Sequence, residues 1–394
     1  MSRNMHTIRI KMQAALTLLF MIMLPVAAQE KLSKEEAEEK RVEVINAWKK
    51  AKETQFRKIL EAKEGTSPTI YNGNDSLPFW YAAYGNAPFG ERSLWISMHG
   101  GGGTTHKFND GQWNNQKHLY KPLEGIYVAP RAPWNAWNMW FQEPIDKMFE
   151  ELIQMMVVCK GVNPNKVYLM GYSAGGDGVW RLAPRLADHF AAASMMAGHP
   201  GDVGLLNLRN LPFMIWCGAD DSAYNRNLEC AKRGEEMDAL QEKTPEGYIH
   251  QTHILEGKGH WMDREDAAAL SWMEKFVRNP YPQALVWCQE EVLRECFYWI
   301  SVPREEIMRG KEVRIRVKKN TIHIERCDYS RLTLYLNDSI VNLDKNVKVM
   351  KDGKVLYKGK VARSERVMTE SMEQRGDPMY CFPARLVMDV PSHQ

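Results

Sequence analysis

The sequence predicts an α/β protein: a mostly parallel central sheet covered by helices on both faces, followed by a smaller, mainly β region. Three observations carry this expectation. Apolar strand-like runs alternate with helical stretches between about residues 78 and 278, the pattern of parallel strands joined by crossover helices. Residues 166–176, KVYLMGYSAGG, pass from a buried-strand run through a glycine-flanked serine into VWRLAPRLADHF, which has helical spacing. At Asn279-Pro280-Tyr281-Pro282 the texture changes to short β runs punctuated by hairpin signals.

The elements follow in order. Residues 1–28 carry Arg3, Arg9 and Lys11, then an apolar run closing on Val26-Ala27-Ala28. A basic start, a short apolar centre and a small-residue end are the marks of a signal peptide, and the run is short and wrongly flanked for a membrane span. The chain is therefore expected to be exported, to a periplasm or beyond the cell, with no membrane anchor. Residues 29–65 are dense in Lys and Glu, with Ile45, Trp48, Phe56, Ile59 and Leu60 at helical spacing, an amphipathic packing helix. A catalytic unit is expected over 66–281. Its strands fall near 78–84, 93–98, 125–129, 166–170, 190–197, 211–217 and 248–255, and its helices near 145–158, 179–190, 222–243 and 263–277. A mainly β appendage is expected over 282–394, with strands near 285–288, 296–302, 313–317, 321–325, 332–336 and 347–361 and a helix near 365–374. Lys319–Asn320 and Asp352–Gly353 read as hairpin turns.

Composition is that of a globular protein: 394 residues, 44% apolar and 26% charged, long enough for two domains. Removing residues 1–28 takes away three positive charges and no acid, so the formal net charge falls from +3 to 0. That balance does not point to nucleic acid. Seven cysteines are scattered without a C-x-x-C, so neither a metal site nor a redox motif is expected. Cys159 and Cys217 lie in apolar runs as core residues, and Cys288 with Cys296 is a candidate disulfide.

The chemistry concentrates around Ser173, in the G-x-S-x-G turn between strand and helix. A serine hydroxyl becomes a nucleophile when a base removes its proton and an acid fixes the base's tautomer. Asp221 follows the 211–217 strand in GADD, with Asp220 the competing acid. His260 follows the 248–255 strand in GKGH. His99, His106, His199, His250 and His253 are the other candidate bases, and position favours His260. The glycine run HGGGG at 99–103 offers unobstructed backbone N–H groups for a developing oxyanion; Gly101 or Gly102 is expected to donate, with Ala174 as the second donor. A phosphate cradle is disfavoured because no G-K-[ST] follows the glycines.

With HGGGG at 99–103, GYSAGG at 171–176, GADD at 218–221 and GKGH at 257–260, residues 78–278 resemble the α/β-hydrolase superfamily. They look closest to secreted dienelactone-hydrolase-like proteins, polyhydroxybutyrate-depolymerase-like esterases and feruloyl or acetyl esterases. A serine stands where dienelactone hydrolases proper use cysteine. The whole mature chain is also similar to Bacteroidetes carbohydrate esterases of a pectin methylesterase type. The resemblance implies a serine ester hydrolase with no cofactor or metal, acting on ester-decorated polysaccharide: first the methyl ester of galacturonan, next acetyl or feruloyl esters. An acidic sugar chain calls for cations and stacking aromatics, and Arg131, Trp137, Trp140 and Lys258 are the candidates, with Arg181 and Trp134 nearby. Packing of the tryptophans beneath the appendage is the competing expectation. Two other functional classes stand beside it. A prolyl-oligopeptidase-type serine peptidase shares the triad but usually carries a large domain ahead of the catalytic one. A catalytically inactive carbohydrate-binding protein is the other.

Overall fold

The computed structural model describes residues 31–63 and 65–391; the expected signal peptide lies outside these. No described helix is long and apolar enough to cross a membrane.

The α/β-hydrolase architecture is present. Eight strands, β1 (Thr69–Asn72), β2 (Asp75–Tyr84), β3 (Arg92–Met98), β4 (Gly125–Pro130), β5 (Val162–Tyr172), β6 (Ala192–Met196), β7 (Phe213–Gly218) and β8 (His250–Leu255), form one sheet in the order β1-β2-β4-β3-β5-β6-β7-β8. β1 with β2 and β2 with β4 are antiparallel, and every other pairing is parallel. β3, β4, β6, β7 and the Val167–Tyr172 part of β5 are buried almost throughout, as expected of a sheet covered on both faces. The helices are α1 (Lys34–Leu60), α2 (His106–Leu119), α3 (Pro144–Lys160), α4 (Ala174–Arg185), α5 (Arg226–Lys243) and α6 (Ala268–Met273). A Ser33/Glu36 capping box starts α1, which buries Ile45, Trp48 and Phe56 and packs on α3.

Helix α2 was not expected from the sequence. HKFNDGQWNNQKHL has no apolar stripe, and the side chains it buries completely are Asn109 and Gln116. α6 is shorter than expected because Asp263 and Arg264 take left-handed backbone (φ 52° and 67°), so the α-helix begins only at Ala268.

After Tyr281 the chain adds β9 (Ala284–Cys288), β10 (Cys296–Phe297), β11 (Ile300–Ser301), β12 (Glu312–Lys318), β13 (Thr321–Cys327), β14 (Arg331–Leu336), β15 (Val347–Lys351), β16 (Lys354–Gly359), α7 (Glu365–Arg375) and β17 (Ala384–Asp389). They make a four-stranded sheet, β10-β11-β14-β17, and a five-stranded sheet, β16-β15-β13-β12-β9. The strand expected over 296–302 is two short strands, turned at Tyr298 (φ 50°). The run at 347–361 is a hairpin through Asp352–Gly353, both with positive φ, as a type I′ turn requires. One hydrophobic cluster runs without a break from Ile45 and Trp48 through Leu169 and Trp180 to Trp299, Ile315 and Val349. Beside it, fully buried Asp188 binds Arg375 and the Tyr298 N–H, and Tyr380 donates to its carbonyl at 2.7 Å. The Cys288–Cys296 disulfide is not formed: all seven cysteines are free, and Cys296 Sγ accepts from Gln374 Nε2.

Candidate active site

β5 delivers Ser173 to the C-terminal edge of the sheet. The serine sits at φ 57°, ψ −122°, a strained conformation held by its surroundings: its N–H donates to Met196 O and its carbonyl accepts from Asp177 N–H. Glycine is required on both sides. A Cβ on Gly171 would overlap Gly175 O, and one on Gly175 would overlap Met98 O, so the strand, turn and helix meet at backbone contact.

Three strand ends converge here. Ser173 Oγ lies 2.9 Å from His260 Nε2, and His260 Nδ1 lies 2.8 Å from Asp221 Oδ2. Asp221 is buried while Asp220 is exposed, so Asp221 is the carboxylate that meets the imidazole. Burial alone would push the Asp221 carboxyl up. The hydrogen bond and charge of His260, with the Arg226 guanidinium, outweigh it and leave the group below its ordinary value. The loop carrying His260 is pinned by Tyr172, whose hydroxyl donates to His260 O at 2.7 Å and accepts from Met262 N–H. Among the other histidines, His99 is fully buried. Its Nδ1 donates to Gly100 O and its Nε2 accepts from Ala132 N–H, and burial lowers it to about 3, leaving it neutral.

The glycine loop separates its two candidate donors. Gly102 N–H is taken by Asn109 Oδ1 at 3.0 Å, which removes Gly102 from the expected oxyanion donors. Gly101 N–H and Ala174 N–H have no acceptor among the described residues, and both residues border Ser173 in the same cavity. Asn109, unremarked in the sequence, clamps the Gly102 peptide from both ends, since its Nδ2 also donates to Gly102 O at 3.0 Å and to Asn135 Oδ1 at 2.8 Å.

The four residues expected to touch substrate are distributed differently. Trp137 is 69% exposed and lines the cavity beside Gly102 and Gly103. Trp140 is completely buried and donates to His99 O at 2.8 Å. Arg131 is buried against Asp110, Ala132 O and Asn135. Both therefore brace the glycine loop from behind and offer nothing to a ligand. Lys258 is spent on Asp263 and Glu265. Arg226 lines the second cavity together with Arg181, and its Nη1 donates to Asp221 Oδ1 at 2.6 Å; Arg264 lines the first. The position of Arg226 five residues after Asp221 gave no sequence signal.

Two cavities flank Ser173, of about 730 and 630 Å3, and share Gly101, Phe108 and Ser173 as lining. The first continues past Gln112, Asn115 and Trp261, and the second past Trp137, Tyr224 and Arg226. A hydroxyl, an imidazole and a carboxylate in relay beside two free N–H groups are the parts of an acyl-transfer site.

No protein-family model matches the chain, and no curated protein matches it. Among solved structures it is similar to a thermostable esterase, at 16% identity and a TM-score of 0.44 over 54% of this chain. The match spans 62% of that esterase's length. It is also similar to a ferulic acid esterase (16% identity, TM-score 0.39, 53% of this chain and 96% of that one). A third similar structure is an acetyl xylan esterase from Aspergillus awamori (11% identity, TM-score 0.37, 53% of this chain and 99% of that one).

Proposed function

We propose that this protein is a serine carboxylic-ester hydrolase, exported through residues 1–28, that removes ester groups from a polysaccharide: the methyl ester of galacturonan first, acetyl or feruloyl esters next. The observation that carries the reading is the continuous relay from Ser173 through His260 to Asp221 beside the free N–H groups of Gly101 and Ala174. Ser173 Oγ attacks the ester carbonyl as His260 Nε2 takes its proton, and Asp221 keeps the Nδ1 proton in place. The tetrahedral oxyanion is held by Gly101 and Ala174 N–H, each such donor being worth about 3–4 kcal/mol. His260 then returns the proton to the departing alcohol, and water repeats the sequence on the acyl-enzyme. Exposed Trp137 and the paired cavities support a sugar chain as the carrier of the ester.

The test is Ser173→Ala. Turnover of p-nitrophenyl acetate and of methyl-esterified galacturonan is abolished, and a fluorophosphonate labels the parent protein but not the variant; unchanged rates on both esters end the proposal. Methanol, acetate or ferulate released from a panel of plant polysaccharides identifies the ester.

A further inference from the structure

The charge of the chain is close to balanced overall, 52 Lys or Arg against 49 Asp or Glu, but residues 345–360 carry six lysines and one acid. The sheet β16-β15-β13-β12-β9 puts these lysines in register with others. Lys318 on β12 lies opposite Thr321 on β13, Thr321 opposite Lys348 on β15, and Lys348 opposite Lys358 on β16. Directly opposed residues share a face of a sheet. The row therefore crosses four strands on one face, over roughly 14 Å at about 4.8 Å per strand. The opposite face is the core, with Val317, Ile322, Val347 and Val349 buried. Lys318 and Lys358 are exposed and Lys348 half-buried, and none of the three has an acidic partner among the described residues.

Like charges directly opposed across strands are destabilising. Lysines are common on edge strands, where they discourage edge-to-edge pairing, and that accounts for Lys358 on β16. It does not account for Lys318 and Lys348, which stand on interior strands. In the next row, Arg316, His323 and Met350, the guanidinium is paired with Glu246 and with Glu325 of β13, which leaves the lysine row as the cations without an acidic partner among the described residues.

We infer that this outer face is a binding surface for a linear anionic polysaccharide lying across the strands, one carboxylate-bearing sugar after another meeting the lysine row. The inference rests on the polysaccharide-ester reading above for the identity of the polyanion. A single-stranded nucleic acid fits less well, because it needs aromatic platforms for its bases. The one tyrosine of these strands, Tyr357, lies opposite buried Val349 and donates to Lys360 O.

The test uses the full mature chain carrying Ser173→Ala, so that the binding readout is separate from catalysis, in native gels containing de-esterified polygalacturonate. The parent is retarded in a salt-sensitive way. Lys318→Gln, Lys348→Gln and Lys358→Gln together weaken retention by at least roughly tenfold, and in the Ser173 background they leave the melting temperature and p-nitrophenyl acetate turnover unchanged. Equal retention of parent and triple variant overturns the inference, as does a parent that is not retarded. Stronger retention of the parent on DNA or on anionic vesicles, lost in the same triple variant, reassigns the surface and also overturns it. Failure of the Ser173 chemistry leaves this binding readout intact, so the two readings fail separately.

Discussion

Arg226 Nη1 donates to Asp221 Oδ1 at 2.6 Å, on the carboxylate oxygen that His260 does not use. The buried acid therefore divides its charge between an imidazole and a guanidinium. Removing the guanidinium frees that oxygen and loosens the carboxylate that orients the ring. Arg226→Met is expected to lower kcat on p-nitrophenyl acetate roughly tenfold with KM little changed, and Arg226→Lys to restore part of that loss. An unchanged kcat with a lowered melting temperature would assign Arg226 to packing alone.

Asn109 holds the Gly102 peptide at both its N–H and its carbonyl. Asn109→Ala releases the loop that presents Gly101, and kcat is expected to fall roughly 10- to 100-fold with KM little changed, somewhat less than the loss of an oxyanion donor itself. Steady-state kinetics with p-nitrophenyl acetate, beside a circular-dichroism melt, separates this from unfolding.

Trp137 stands exposed at the cavity wall. Trp137→Ala is expected to raise KM on a polymeric ester several-fold, in line with about 0.5–1.5 kcal/mol for an aromatic contact, while turnover of p-nitrophenyl acetate is unaffected. Equal effects on the two esters would count against a stacking role.

Asp188 is fully buried between His189 and Arg375. Burial alone would raise its carboxyl, but His189, Arg375 and Arg294 hold it far below the ordinary range. The folded protein thus binds fewer protons here than the unfolded chain. Its contribution to stability is complete above about pH 4, the ordinary carboxylate value, and is lost as pH falls towards the lowered folded value. Asp188→Asn is expected to cost about 3–5 kcal/mol at neutral pH, with the gap to the parent narrowing below pH 4. Denaturant melts at several pH values check this.

The parallel sheet and the convergence of Ser173, His260 and Asp221 were legible because each rests on local signals: apolar runs, a glycine-flanked serine, and polar residues placed at strand ends. What escaped depends on partners distant in the chain. Helix α2 is held by buried amides, with Gln116 donating to Ser97 Oγ, and so shows no apolar period. Trp140 and Arg131 sit in an aromatic, cationic loop that reads like a ligand site. Only the fold reveals that these two turn inward to brace His99 and Asn135, whereas Trp137, three residues from Trp140, turns out. Which of Gly101 and Gly102 keeps a free N–H likewise depends on a side chain of the following helix, Asn109.

The two cavities that meet at Ser173 have a kinetic consequence for the proposed reaction. A dead-end pocket must empty by the way it filled, so each turnover would return a polymer to solution. If the proposed polymeric ester lies through both cavities, room on either side of the nucleophile would let the small alcohol depart while the backbone stays seated. Contiguous bare stretches along individual molecules, read from the distribution of remaining esters in partly digested polymer, would be the mark of that path.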